Sequence, residues 1–227
     1  PELGVGIHLT LVNGFPVCEA KDIPSLVTKE GVFFDNHVEF VKHFLKGQIA
    51  MEDVRRELMA QAAKMERTGL PLTHVDSHQH MHMLPGVIDI SLDVAALLHL
   101  DAVRISRTPL FTAFAGMGQL IGRLGLFTLS ELSLWKAKRR HFRVPDHFEG
   151  IVAGEAVHEG HFLHILKDLR PGTTEVMMHP GTDNEKLIPA CDWEHDFEAE
   201  MQAIVSPKVR RMIADKAVKV VNYRELK

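Results

Sequence analysis

Residues 73–85 read THVDSHQHMHMLP and hold four of the fifteen histidines of the chain, His74, His78, His80 and His82, around one carboxylate, Asp76. Imidazole is the commonest transition-metal ligand among side chains and titrates nearest neutral pH. The cluster directly follows a short β-type run, 72–75. Alternation along a strand continued through Val75 puts His74, Asp76 and His78 on one side. If the strand breaks after Asp76, His78 turns outward at its end, and His80 and His82 continue as a loop. The residues alone leave open which of these histidines binds.

Working outward, 5–11 (VGIHLTL) alternates, with Val5, Ile7, Leu9 and Leu11 on one face and Gly6, His8 and Thr10 on the other, which is a period-2 strand. Asn13-Gly14 ends it in a turn. Residues 15–34 form a loop. Asn36 caps a helix over 38–46 that Gly47 stops. A second helix spans 51–67, with Val54, Leu58, Ala62 and Met65 as its core stripe. Further helices are expected over 87–98, 163–169, 196–204 and 208–216, the last with Ser206 as N-cap and Pro207 at the first position. Strands are expected over 102–106, 175–178 and 217–222, and a linker after Gly150. Residues 109–135 form an apolar stretch of one or two helices or a lid. The basic run 136–143 is a solvated helix face or, alternatively, a membrane-surface element.

Strands and helices alternate, which argues for an α/β fold with a parallel sheet. The chemically loaded residues, His8, Asp76–His82, Arg104 and His179, lie within strands or just past their C-terminal ends, where α/β folds build their sites. A single domain over 1–227 is expected.

Composition narrows the function classes. The chain has 227 residues, 45% hydrophobic and 25% charged, with net charge −4. That excludes a general nucleic-acid binder. Two cysteines far apart, Cys18 and Cys191, give no disulfide framework and suggest a reducing, cytoplasmic setting. No run is long and apolar enough for a transmembrane helix.

Two nitrogens, one from His8 and one from the cluster, begin a metal site, and a third ligand is normally a carboxylate. Asp76 could be that ligand, or could instead fix the tautomer of a ligating histidine. His179, ahead of Pro180-Gly181, is a separate candidate acid or base. Arg104 could hold a substrate oxygen or pair with a carboxylate. Two histidines and one carboxylate also describe non-haem Fe(II) oxygenases, although the β/α alternation does not match their usual antiparallel scaffold.

GIHLTL followed by NGFPV, THVDSHQHMHMLPG, VRISRTP, EVMMHPG and SPKVRRMIADKAVKVVNYREL, in this order, resemble the YdjC-like carbohydrate deacetylase family over nearly the whole chain. VPDHFEG after the apolar stretch further resembles the hopanoid-biosynthesis-associated (HpnK-type) branch. The resemblance implies a distorted (β/α) barrel and a divalent metal ion, Mg or Zn. It also implies removal of acetyl groups from N-acetylated sugars, or from a glycolipid substrate in the HpnK-type branch. By motif it carries metal ligation onto His8 and His78 and general-acid catalysis onto His179. Asp76, His80, His82, Arg104 and Asp146 take supporting or substrate-binding places. The family's opening Asp-Asp-Phe-Gly motif, which supplies its ligating Asp, does not occur in this sequence. A missing N-terminal segment with the first β/α units is therefore expected. Such a chain binds metal weakly, has impaired activity or survives as a metal- or sugar-binding remnant, and exposes a strand edge that favours homo-oligomers. Peripheral membrane contact is the partner expected for a glycolipid substrate.

Overall fold

The computed structural model describes residues 3–107, 117–151, 156–191 and 193–226, with side chains of the long helix described from residue 124. It is a mixed α/β fold with parallel strands. The chain divides into two compact units, Pro1–Val144 with Asn222–Lys227, and Pro145–Val221.

In the first unit, β1 (Val5–Leu9) pairs in parallel with β2 (Leu72–Ser77). Single parallel bridges, Val75 to Val103 and Ala102 to Arg143, extend the sheet sideways. The 102–106 strand foreseen from the sequence is thus reduced to bridges. Ile7, Leu9, Val75, Val103 and Ile105 face the core with less than a twentieth of their surface exposed. The alternation of small polar and apolar residues in β1 produces this directly, because successive side chains point to opposite faces.

Helix α1 (His37–Leu45) starts where the Asn36 side chain accepts the N–H of Glu39. α2 (Met51–Glu66) buries Val54, Leu58 and Ala62 as its stripe predicts. α3 (Val87–Leu97) packs against α2 and against α4 (Met117–Arg139). Of the apolar stretch 109–135, residues 109–116 lie outside the described residues and the remainder lies within α4. No described helix is long and apolar enough to cross a membrane.

The basic run at the end of α4 is largely spent on ion pairs. Lys136 reaches Asp89 at 2.5 Å, Arg140 reaches Asp93 at 2.9 Å, and Arg143 pairs with Asp101. Arg143 also donates to the carbonyls of Arg224 and Leu226, fastening the C-terminal segment to this unit.

The second unit holds β3 (His147–Glu149) parallel to β4 (Thr174–Val176), with helices α5 (Glu159–Lys167), α6 (Asn184–Cys191), α7 (Phe197–Val205) and α8 (Pro207–Asp215). β3 occupies the stretch read as the lead into a linker. Gly150 closes it at φ +100°, where a Cβ would stand 2.2 Å from the Met177 carbonyl oxygen. Only glycine allows that approach. Ser206 caps α8 by accepting the N–H groups of Lys208 and Val209, with Pro207 at the first turn. The expected last strand, 217–222, is irregular chain instead. Ala217 sits at φ +51°, which ends α8 in a left-handed turn incompatible with a strand start. Asn222 then caps the short 3₁₀ turn Tyr223–Glu225. Both cysteines are free thiols.

Candidate functional site

The first histidine group is assembled by the register of β1 on β2. Gly6 stands opposite His74 and His8 opposite Asp76, so the polar faces of both strands merge on one side of the sheet. His8 Nδ1–H donates to Asp76 Oδ1 at 2.8 Å. The second carboxylate oxygen accepts from Arg104 Nη1. Asp76 is 9% and Arg104 15% exposed by side chain, whereas His8 is 53% exposed. Burial alone would raise the Asp76 pKa. The hydrogen bond from His8 and the charge of Arg104 outweigh it and hold the carboxyl at about 2. The charged carboxylate in turn fixes the His8 proton on Nδ1 and leaves the Nε2 lone pair on the open side of the ring.

β2 runs through Ser77, and His78 opens the 3₁₀ segment His78–Met83 immediately beyond it. The ring of His78 meets that of His8 edge-on, with centroids 5.9 Å apart and planes at 70°. Burial first, then the nearby His8 and His37, lowers its pKa, which favours the neutral ring that ligation requires. The next two residues, Gln79 and His80, both take left-handed backbone at φ 49° and 58°. Such conformations cost about 1–3 kcal/mol each and persist where the surroundings over-determine them. Here Gln79 Oε1 accepts the backbone N–H of His37, and His80 Nδ1 pairs with the Ser106 hydroxyl at 2.8 Å.

This kink separates the four histidines by task. His82 is interior: its Nδ1 accepts from Ser77 Oγ at 2.5 Å and its Nε2–H donates to the Arg104 carbonyl at 2.7 Å. It thereby holds the strand end that carries Arg104. His74 is buried, paired with Thr73 Oγ1 at 2.8 Å and stacked on Tyr223 at 3.8 Å. Burial holds His82 and His74 near pKa 4 and His80 near 3.

The fit to a divalent cation can be judged from these contacts. His8 and His78 bring their rings beside one another, and both imidazoles are possible ligands. Asp76 is engaged through both oxygens, Oδ1 by His8 and Oδ2 by Arg104. Among the described residues, no third His, Cys, Asp or Glu joins His8 and His78 with ligand atoms in mutual reach.

His179 and Asp146 belong to the second unit. Asp146 accepts from the Thr173 N–H at 2.8 Å and its hydroxyl at 2.9 Å, tying the start of β3 to the turn before β4. His179 is exposed, and its backbone N–H donates to Glu200. Its ring is edge-on to Trp193 at 5.0 Å and to His195 at 5.5 Å. His179, His195 and Glu200 each offer one ligand atom within 4.8 Å of the others. Sequence reasoning missed His195 and Glu200. The available signal was a glutamate at helical spacing between Phe197 and Ala203, the two apolar residues that α7 buries with it.

The family model for YdjC-like protein matches residues 1–215. A carbohydrate deacetylase of Brevibacillus brevis is 27% identical over 228 residues, covering 100% of this chain and 79% of its own length. That of Mus musculus is 30% identical over 247 residues, covering 97% of this chain and 77% of its own. A chitooligosaccharide deacetylase of Proteus mirabilis is 26% identical over 231 residues, at 100% and 79% coverage. Among solved structures, an Enterococcus faecalis protein named for cellobiose-phosphate cleavage is similar in fold. Its TM-score is 0.70 at 20% identity, covering 98% of this chain and 77% of that one.

Proposed function

Since the chain belongs to the YdjC-like protein family, we propose that it is a divalent-metal-dependent hydrolase that removes acetyl groups from N-acetylated sugars. The observation that carries this is the His8–Asp76–Arg104 chain of contacts beside His78. Buried charge pairs of this kind orient metal-ligating imidazoles and fix their tautomers. The names of the relatives, carbohydrate and chitooligosaccharide deacetylase, supply the substrate class. The parallel strands are taken as staves of a distorted (β/α) barrel.

The cation, Mg or Zn, supplies Lewis acidity: it polarises a carbonyl oxygen and acidifies water. His8 and His78 would hold it through their ring nitrogens. Asp76 keeps the His8 proton on Nδ1, and Arg104 keeps Asp76 ionised. In the overall reaction the acetamide C–N bond breaks, water oxygen adds to the carbonyl carbon, and acetate leaves. His179 is assigned the proton that the departing amine nitrogen gains. The narrower substrate, an N-acetylated glycolipid of the hopanoid type, rests only on the resemblance of VPDHFEG to that branch.

A second reading, a metal- or sugar-binding chain without turnover, is favoured by one observation: both oxygens of Asp76, the carboxylate nearest His8, are already engaged, by His8 and Arg104. Acetate release from N-acetylated chitooligosaccharides separates the two. Turnover with added divalent cation that stops on chelation is expected. Sugar binding with no acetate under any divalent cation overturns the hydrolase assignment.

A further inference from the structure

The second unit contains a histidine–carboxylate cluster, His179, His195 and Glu200, in which one buried ring nitrogen, His195 Nε2, has no hydrogen-bond partner. Glu200 is 1% exposed and points its carboxylate at the segment before Pro180-Gly181. One oxygen accepts the Val157 N–H at 2.9 Å and the other accepts the N–H of His179. These bonds leave each oxygen a further lone pair.

His195 is clamped beside it. Its ring stacks on Trp193 at 4.1 Å and meets Phe197 edge-on at 4.9 Å. The side chain is 6% exposed, and its Nε2 lies 3.2 Å from Glu200 Oε1. That distance suits an ion pair, but the direction is wrong for a hydrogen bond, and no protein group bonds this nitrogen. A buried polar atom left in that condition is destabilising. His195 offers a ligand atom within 4.8 Å of those that Glu200 and His179 offer, and His179 is on the exposed side of the group.

We propose that His179, His195 and Glu200 form a second divalent-cation site, separate from the His8–His78 pair, and that Zn²⁺ is the ion it takes. Two imidazoles and one carboxylate, with a solvent-open side, are the donor set of a tetrahedral zinc centre with one free position. Mg²⁺ prefers oxygen donors and keeps its waters, so it does not compete here. The three donor atoms, within 4.8 Å of one another, need only a small contraction, and His179 is exposed enough to make it. Zinc bound here occupies the His179 lone pair. If His179 is the proton donor of the hydrolase, which rests on the function proposed above, excess zinc is an inhibitor of that reaction.

The test uses the full chain and zinc alone, titrated in competition with a chromophoric chelator. Unsubstituted protein is compared with His195→Gln, His179→Gln and His8→Gln, each checked by circular dichroism. Both His195→Gln and His179→Gln should weaken the same zinc equivalent by more than about tenfold, the least that disturbing a metal's supporting shell costs. His8→Gln should keep that equivalent. Because His179 is exposed, its variant reports even if the buried His195 variant does not fold. Zinc stoichiometry and affinity unchanged in the folded His179→Gln protein would overturn the site. In the acetate assay, zinc beyond the first equivalent should inhibit, and His195→Gln should raise the inhibitory concentration more than tenfold. Extra zinc bound by a chain that releases no acetate supports the site and tells against the hydrolase, so the two failures are distinguishable.

Discussion

His8 and Asp76 stand opposite each other across two parallel strands, and the histidine Nδ1 lies 2.8 Å from the carboxylate Oδ1. The pairing orients the strand histidine, and on the proposed function it makes His8 an oriented ligand. Asp76→Asn keeps the shape but removes the charge that holds the proton on Nδ1, and it leaves Arg104 without its ionic partner. The expected outcome is metal affinity lowered about 10–100-fold, read by chelator competition. Stability should fall by about 1–3 kcal/mol, read by urea unfolding. Unchanged metal affinity in a folded Asp76→Asn protein would show that the pairing is structural only.

Acid stability is set in part by His74. Its folded pKa, about 4, is depressed from 6.5 chiefly by burial. Between those values the unfolded chain binds the proton and the folded chain does not, so stability falls as pH drops through this window. Above pH 6.5 the full contribution is present. That depression corresponds to about 3 kcal/mol at most. His74→Phe keeps the stack on Tyr223 and should flatten the decline of the urea midpoint between pH 6.5 and 4. A slope identical to that of the unsubstituted protein would remove His74 from the account.

The same ring sets a steric demand on β1. A Cβ at Gly6 would lie 2.4 Å from His74 Cε1. Gly6→Ala should therefore cost about 1–3 kcal/mol through overpacking, visible as a lower thermal midpoint. Combining it with His74→Ala should recover part of the loss, because the two residues are in contact.

The elements legible in the sequence were those with local physics: the alternation of β1, the stripe of α2, and the caps Asn36 and Ser206. What escaped were features that depend on partners distant in sequence. The kink at Gln79 and His80 is imposed by His37 and Ser106, so alternation could not say that His82 turns inward while His78 stays at the rim. The 102–106 run has strand composition, but its neighbours offer it only single bridges. Residues 217–222 carry the apolar pattern of a strand, yet Ala217 takes a left-handed turn first. Asp76 was readable as ligand or support, and its contact with Arg104, 28 residues away, is a pairing that no local pattern announces.

The basic run at the end of α4 bears on membrane contact. Lys136, Arg140 and Arg143 are engaged with Asp89, Asp93 and Asp101, which cancels much of the field that would attract an anionic surface. At physiological salt, where surface charges are screened beyond about 8 Å, the protein should stay in the supernatant when spun with anionic vesicles. Pelleting that is abolished by Lys138→Glu together with Arg139→Glu would instead show a lipid-facing use of the remaining cations.

Glu200 holds the segment that carries His179, and its charge is what permits this. Both oxygens face N–H donors, Val157 on one side and His179 on the other. Glu200→Gln is nearly isosteric but must turn an NH₂ group toward one of these donors, leaving buried groups unpaired at a cost of about 1–3 kcal/mol. Helix α7 should survive, since Asp196 still caps it by accepting from Ala199 at 2.9 Å. The loss should therefore appear locally. Hydrogen exchange at the amides of Val157 and His179 should quicken well before exchange in β1 or β2. If those two amides remain as protected as in the unsubstituted protein, the carboxylate is not what anchors them.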